Sequence, residues 1–245
     1  MTTVPVAGLA DPFSAITHLA GLIAVLALAP LLLARGSNHP GRTAALGVYA
    51  ATVALLLSMS GIYHLLPAAS TARAVLRVLD HAAVFALIAG TFTPVHAIVF
   101  RGPWRWGMLA AIWSLAGAAI VLKSVFFAAV PEWLGLALYL GLGWIGLASG
   151  VALAAHFGAR FVTPLAVGAA AYTGGAVIDF AAAPVLWPGV VGPHELFHVA
   201  VLAGIASHWH FVARIAHGGL VRRGPATRAG PRPYNGGRIP RSKTP

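Results

Sequence analysis

Two histidines near the C-terminal end, in the run GPHELFHVAVLAGIASHWHFV, carry the chemistry most plainly: His194 and His198. On a helix, residues four apart share a face one turn from each other. Two imidazoles so placed can hold one metal ion. Upstream, Ser60-Gly61-Ile62-Tyr63-His64 sets a hydroxyl and a third imidazole at the same spacing. The chain has no cysteine, so any metal must be held by His, Asp or Glu. Neutral His64, His194 and His198 would hold a zinc ion and leave one tetrahedral position for water. Zinc lowers the pKa of such a water to about 7 and makes it a nucleophile. Asp80 is then a group to take that water's proton or to orient it, and Ser60 one to hydrogen-bond the water or a substrate oxygen. Plainer readings stand beside these. A serine within a helix often bonds back to its own carbonyls, and Asp80 beside Arg77 could be a solvated ion pair.

The elements that must position these residues are membrane spans. Of 245 residues, 59% are hydrophobic and 9% charged, with a mean hydropathy of +0.84; a soluble domain carries about 25% charged residues. A spanning helix needs roughly 20 apolar residues. By that rule there are seven spans, at about 14–34, 43–66, 78–100, 104–124, 132–155, 161–182 and 194–215. Gly/Pro/Asn/Ser turn signals separate most of them. The prediction is an all-α membrane protein, a seven-transmembrane helix bundle over residues 1–216, followed by a basic tail, 217–245, of disordered composition. Eight of the sixteen Lys and Arg residues lie from Arg214 onward. The net charge of +11 is therefore mostly tail and loop charge rather than a nucleic-acid surface. No basic segment precedes the first apolar run, so a cleaved signal peptide is not expected.

Alternating spans assign sides. With the N-terminal side called A and the C-terminal side B, His18 begins span 1, Ser60 and His64 end span 2, Asp80 and His81 begin span 3, and His194 and His198 begin span 7. All five acids fall toward A. Ionisable groups inside a membrane are expensive and mark functional sites. A carboxylate and several histidines at one depth therefore predict a site near the A face.

The segments ITHLAG (16–21), SMSGIYHLLP (58–67), LDHAAVFALIAGTFTPV (79–95) and HELFHVAVLAG (194–204) together resemble the hemolysin III family, the bacterial branch of the adiponectin-receptor-like (progestin and adipoQ receptor) membrane proteins. The resemblance implies a seven-helix fold in a bacterial inner membrane. It implies zinc on His64, His194 and His198, with Asp80 and Ser60 beside the metal. It also places the family's enzymes near the alkaline ceramidases, zinc-dependent hydrolases of lipid amides, so membrane lipids are the expected partners and a lipid substrate would enter laterally between helices. Two departures stand out. Asp11 replaces a frequent Glu, and Asp179 stands near the end of span 6 where an aromatic is expected. Asp179 sits either near the metal mouth or at the interface, the interface being preferred, and neither acid is expected to touch the ligands.

Other residues take secondary roles in this reading. His18 lines the pocket or bonds within it. Glu195 points away from the metal or bonds a ligand's outer edge. His81 packs. His208 and His210 anchor at the B interface with Trp209. His39, His96, His156 and His217 need no special role, and Lys123 snorkels outward at the A end of span 4. Three alternatives to the hydrolase remain: a non-catalytic receptor or sensor with a structural zinc, a hemolysin-type pore, and an intramembrane metalloprotease, since HELFH matches H-E-x-x-H with Glu195 as general base. The pore would need a polar stripe through the full bilayer depth. For orientation, side B holds thirteen Lys and Arg residues and side A three, Arg73, Arg77 and Lys123. The positive-inside rule puts the C-terminus in the cytoplasm and opens the site outward. The eukaryotic receptors of the resembled family have the reverse orientation.

Overall fold

The computed structural model describes residues 11–218. The expected tail, from residue 219 on, lies outside the described residues. Seven helices long and apolar enough to cross a membrane fill that range. They are α1 (Pro12–Ala34), α2 (Pro40–Leu65), α3 (Thr71–Ile98), α4 (Gly102–Val125), the pair α5 (Glu132–Trp144) and α6 (Gly146–Phe157), α7 (Ala159–Ala181) and α8 (Pro193–Ile215). At 1.5 Å per residue, the 23 to 28 residues of each span cover about 35–42 Å, enough for the roughly 30 Å hydrocarbon core. α5 and α6 form one span, Glu132–Phe157, interrupted at Ile145.

Helix starts follow local chemistry. Pro12, Pro40, Pro103 and Pro193 sit in the first turns of α1, α2, α4 and α8, where a missing N–H costs nothing. α3 begins seven residues before its expected start because the Ser70 hydroxyl accepts from the Arg73 N–H at 3.2 Å, an N-cap that hydropathy does not register. Asp80 therefore lies in the third turn of α3 rather than at its beginning, and Arg73 and Arg77 ride on the same helix.

α2, α3 and α8 are the most enclosed helices, while α1, α5–α6 and α7 keep broad apolar faces outward. Ile16, Ile23, Leu26 and Leu31 on α1 are more than half exposed, as lipid-facing side chains must be. Tyr49, Val53 and Leu57 of α2 pack with Val201, Ile205 and Val212 of α8 to form the main core. α2 and α3 approach so closely at Gly90 that any Cβ there would run into Thr52. α7 and α8 meet the same way, a Cβ on Gly175 falling 2.5 Å from the Ala200 methyl. Small residues at such crossings let backbones approach in lipid, where packing rather than hydrophobicity drives association. The first approach lies near the middle of α2 and α3, and the second lies toward the A ends of α7 and α8.

On side B, Arg35 donates to the Ala213 carbonyl (3.2 Å) and Arg42 to the His217 carbonyl (2.9 Å), satisfying oxygens at the end of α8. Two histidines depart from the sequence reading here. His96 is fully buried, bonded through Nδ1 to the Trp104 carbonyl and through Nε2 to the Ser149 hydroxyl, both at 3.0 Å, and it ties α3 to α4 and α6. His208 is no interface anchor. Its Nε2 donates to the Leu165 carbonyl at 3.2 Å, and its ring presses where a Cβ on Gly168 would be, so it is a rivet between α7 and α8.

Candidate metal centre

His64 stands in the last turn of α2, and His194 and His198 in the first two turns of α8. Their ring nitrogens form a group that can hold a metal ion, all within 4.8 Å of one another. The Nε2 atoms of His64 and His194 are 3.4 Å apart and those of His194 and His198 3.1 Å. A tetrahedral ion with bonds of about 2.0–2.1 Å sets its ligand nitrogens about 3.3–3.4 Å apart. The spacing therefore fits such an ion.

The outer edges of two rings carry carboxylates. Asp11 Oδ2 lies 3.0 Å from His64 Nδ1, and Asp179 Oδ1 lies 3.1 Å from His194 Nδ1. A carboxylate accepts the Nδ1–H, which leaves the Nε2 lone pair turned inward and more basic. Inward lone pairs at these separations repel one another unless a cation lies between them. The donor set, more than its proximity, thus suits a metal.

Both carboxylates overturn the sequence reading. Asp179 does not belong to the interface: it sits in the last turn of α7, and the α7–α8 approach at Gly175 brings it over the start of α8. Asp11 does touch a ligand. It holds the N-cap position of α1 but makes no cap bond with its side chain. Its carboxylate instead takes His64 and the Arg73 guanidinium, at 2.6 Å, while its N–H donates to the His64 carbonyl at 3.1 Å. Arg73 also donates to the carbonyls of Tyr63 (3.1 Å) and Leu66 (2.7 Å). One arginine thus closes the C-terminus of α2 and fixes the acid that fixes His64. The sequence alone marks Arg73 only as a side-A charge.

His198 has no such partner. Its Nδ1 is buried without a hydrogen bond among the described residues, as are both nitrogens of His18. The two ring centres are 4.0 Å apart, so His18, on α1, closes the inner side of the cluster. Glu195 is 3% exposed. Its Oε2 accepts the Gly192 N–H at 2.9 Å, and its Oε1 accepts from the Ser14 hydroxyl at 3.4 Å. Its carboxylate is occupied in starting α8 and joining it to α1.

The cluster borders an open cavity of about 1530 Å³ lined mainly by α3, α5, α6, α7 and α8. His18, Ser60, Asp80, His194 and His198 line one end, and most of the remaining wall is apolar. The Ser60 hydroxyl, on α2, lies beside the Asp80 carboxylate of α3. His81 packs as expected, bonded to the Arg77 carbonyl at 2.8 Å and edge-on to Phe127. Lys123 does not snorkel outward. It is 5% exposed and lines the cavity.

A model of haemolysin-III-related proteins matches residues 9–209. Hemolysin-3 of Bacillus cereus is 31% identical over 195 residues, covering 79% of this chain and 85% of that protein. The Hemolysin-3 homolog of Bacillus subtilis (strain 168) is 26% identical over 196 residues, covering 79% and 88% respectively.

Proposed function

This chain belongs to the haemolysin-III-related family of multi-pass membrane proteins, and from that premise we propose that it is a zinc-dependent hydrolase of lipid amides, ceramidase-like in its chemistry. The observation that carries the reading is the convergence of three imidazole Nε2 atoms, two of them with carboxylates on their outer nitrogens, at the wall of a large apolar cavity. His64, His194 and His198 would hold the ion, and zinc, when bound, would supply Lewis acidity and an activated water. Asp80 accepts the proton of the attacking water. The water oxygen bonds to the carbonyl carbon, the amide C–N bond breaks, and the proton passes to the departing amine nitrogen. Ser60, beside Asp80, orients the water or the substrate oxygen. The apolar walls take the acyl chain, which enters from the bilayer between helices, and exclude bulk water from the reacting bond.

The protease alternative loses ground on Glu195, whose oxygens already serve Gly192 and Ser14. The name hemolysin, carried by the Bacillus relatives, supports a second reading in which the chain disrupts membranes. Conductance of liposomes holding the purified protein is its direct assay.

Elemental analysis of detergent-purified protein tests the first reading. About one zinc per chain is expected, lost in His64→Ala, His194→Ala and His198→Ala. Asp80→Asn is expected to keep the zinc and the fold and to lose release of fatty acid from a ceramide. Zinc without turnover in the unaltered protein would favour the structural-metal receptor. Absence of zinc in carefully prepared protein would sink both.

A further inference from the structure

Lys123 is a buried cation that the proposed chemistry does not use. It lies in the last turn of α4, and its ammonium makes no hydrogen bond or ion pair among the described residues. Its Nζ sits 4.8 Å from the centre of the Phe127 ring. Gly135 of α5 lies alongside it, where a Cβ would be in ordinary contact with Nζ at 3.5 Å. The Arg77 guanidinium of α3 stands 5.2 Å from the same ring and likewise has no ion pair. Two cations therefore flank one aromatic ring, and both face the cavity that holds Asp80 and the histidine cluster. Glu132 lines the same mouth but lies beyond ion-pair distance of either. An ammonium held among apolar side chains without an ion pair is costly, and a cation–π contact returns only part of that cost. A lysine that merely anchored the helix would reach outward to the headgroups, and this one reaches inward.

We propose that Lys123, assisted by Arg77, binds the anionic oxygen group of a lipid, a carboxylate or a phosphate, whose acyl chain lies in the cavity. Along α3 the cavity wall runs from Arg77 to His96, nineteen residues or about 28 Å of helix, room for a long chain extended from that mouth. Leu136, Leu140, Leu147 and Val151 on α5 and α6 supply its apolar side. The inference rests on the hydrolase reading, in which the bound anion is either the headgroup phosphate of the substrate or the carboxylate of the released acid.

The test uses the full chain in detergent and equilibrium binding of matched probes: oleate against oleyl alcohol, and dioleoyl phosphatidic acid against dioleoylglycerol. The unaltered protein is expected to prefer the anion of at least one pair by tenfold or more, and the pair that does so identifies the source. Lys123→Met, similar in length and apolar, is expected to abolish the preference while keeping the affinity for the neutral probe. Lys123→Arg is expected to retain it, and Arg77→Gln, at an exposed position, to weaken it severalfold even if Lys123→Met fails to fold. No preference in the unaltered protein, or one unchanged in Lys123→Met, overturns the proposal. Repeating the measurement after metal chelation separates the two readings. A preference that persists belongs to the lysine whether or not the hydrolase reading survives. One that vanishes with Lys123 intact means the anion sits on the metal, which defeats the lysine site and leaves the metal reading standing.

Discussion

Single residues divide into those whose spacing betrays them and those that only the fold brings in. His194 and His198 are legible because helix periodicity fixes their relation before any tertiary structure is known. Asp11 and Asp179 are not. Each comes from a different helix from the ring it holds, and its reach depends on how the short 35–39 connection and the 182–192 loop return the chain. Their outer-edge bonds make a prediction of their own. Removing such a partner typically costs 10–100-fold in metal affinity. Asp179→Asn keeps an acceptor for the His194 Nδ1–H but loses its charge, and Asp11→Asn does the same to His64 and also releases Arg73. Each is expected to weaken zinc binding about 10–100-fold, read by competition with a chelator of known affinity. Unchanged affinity would mean that the carboxylates touch the rings without tuning them.

At the scale of the helix, the seven spans were legible because length and hydropathy suffice to find them. Their rotation about their own axes was not. These helices are apolar on nearly every face, so the sequence pattern does not point a given residue inward. His208 and Lys123 show the consequence: both were expected at an interface, and both face the interior because α7 and α8, and α4 and α5, pack with those faces together. The start of α8 carries a testable distinction. Glu195 accepts the Gly192 N–H, half of a capping box, and an amide oxygen can do the same. Glu195→Gln is therefore expected to leave zinc content and lipid hydrolysis within about twofold, whereas Glu195→Ala is expected to destabilise the protein by about 1 kcal/mol, read as a lower melting temperature. A general base of the H-E-x-x-H type would lose nearly all turnover on conversion to Gln, so a collapse of activity in Glu195→Gln at normal zinc content would revive the protease.

For the whole molecule, the distribution of basic residues predicts which way the site faces. The histidine cluster, the carboxylates and the Lys123 mouth lie at the A ends of the helices, and most of the basic residues gather on B. Two of the side-B arginines, Arg35 and Arg42, also close the end of α8, so part of that bias has a structural cause. The eight basic residues from Arg214 onward dominate the difference between the sides. Because cytoplasmic flanks retain Lys and Arg, the C-terminus is expected inside, the metal centre opening toward the outer leaflet. A C-terminal green fluorescent protein fusion should then fluoresce, and a C-terminal alkaline phosphatase fusion, active only outside the cytoplasm, should be silent. Cutting the chain after His217 removes seven of those charges and should shift part of the population to the opposite orientation, read as phosphatase activity from a fusion at the new end. An active phosphatase on the full-length chain would invert the assignment. The site would then draw on lipids of the cytoplasmic leaflet, and the arginines of side B would be explained by helix capping and tail composition instead of by topology.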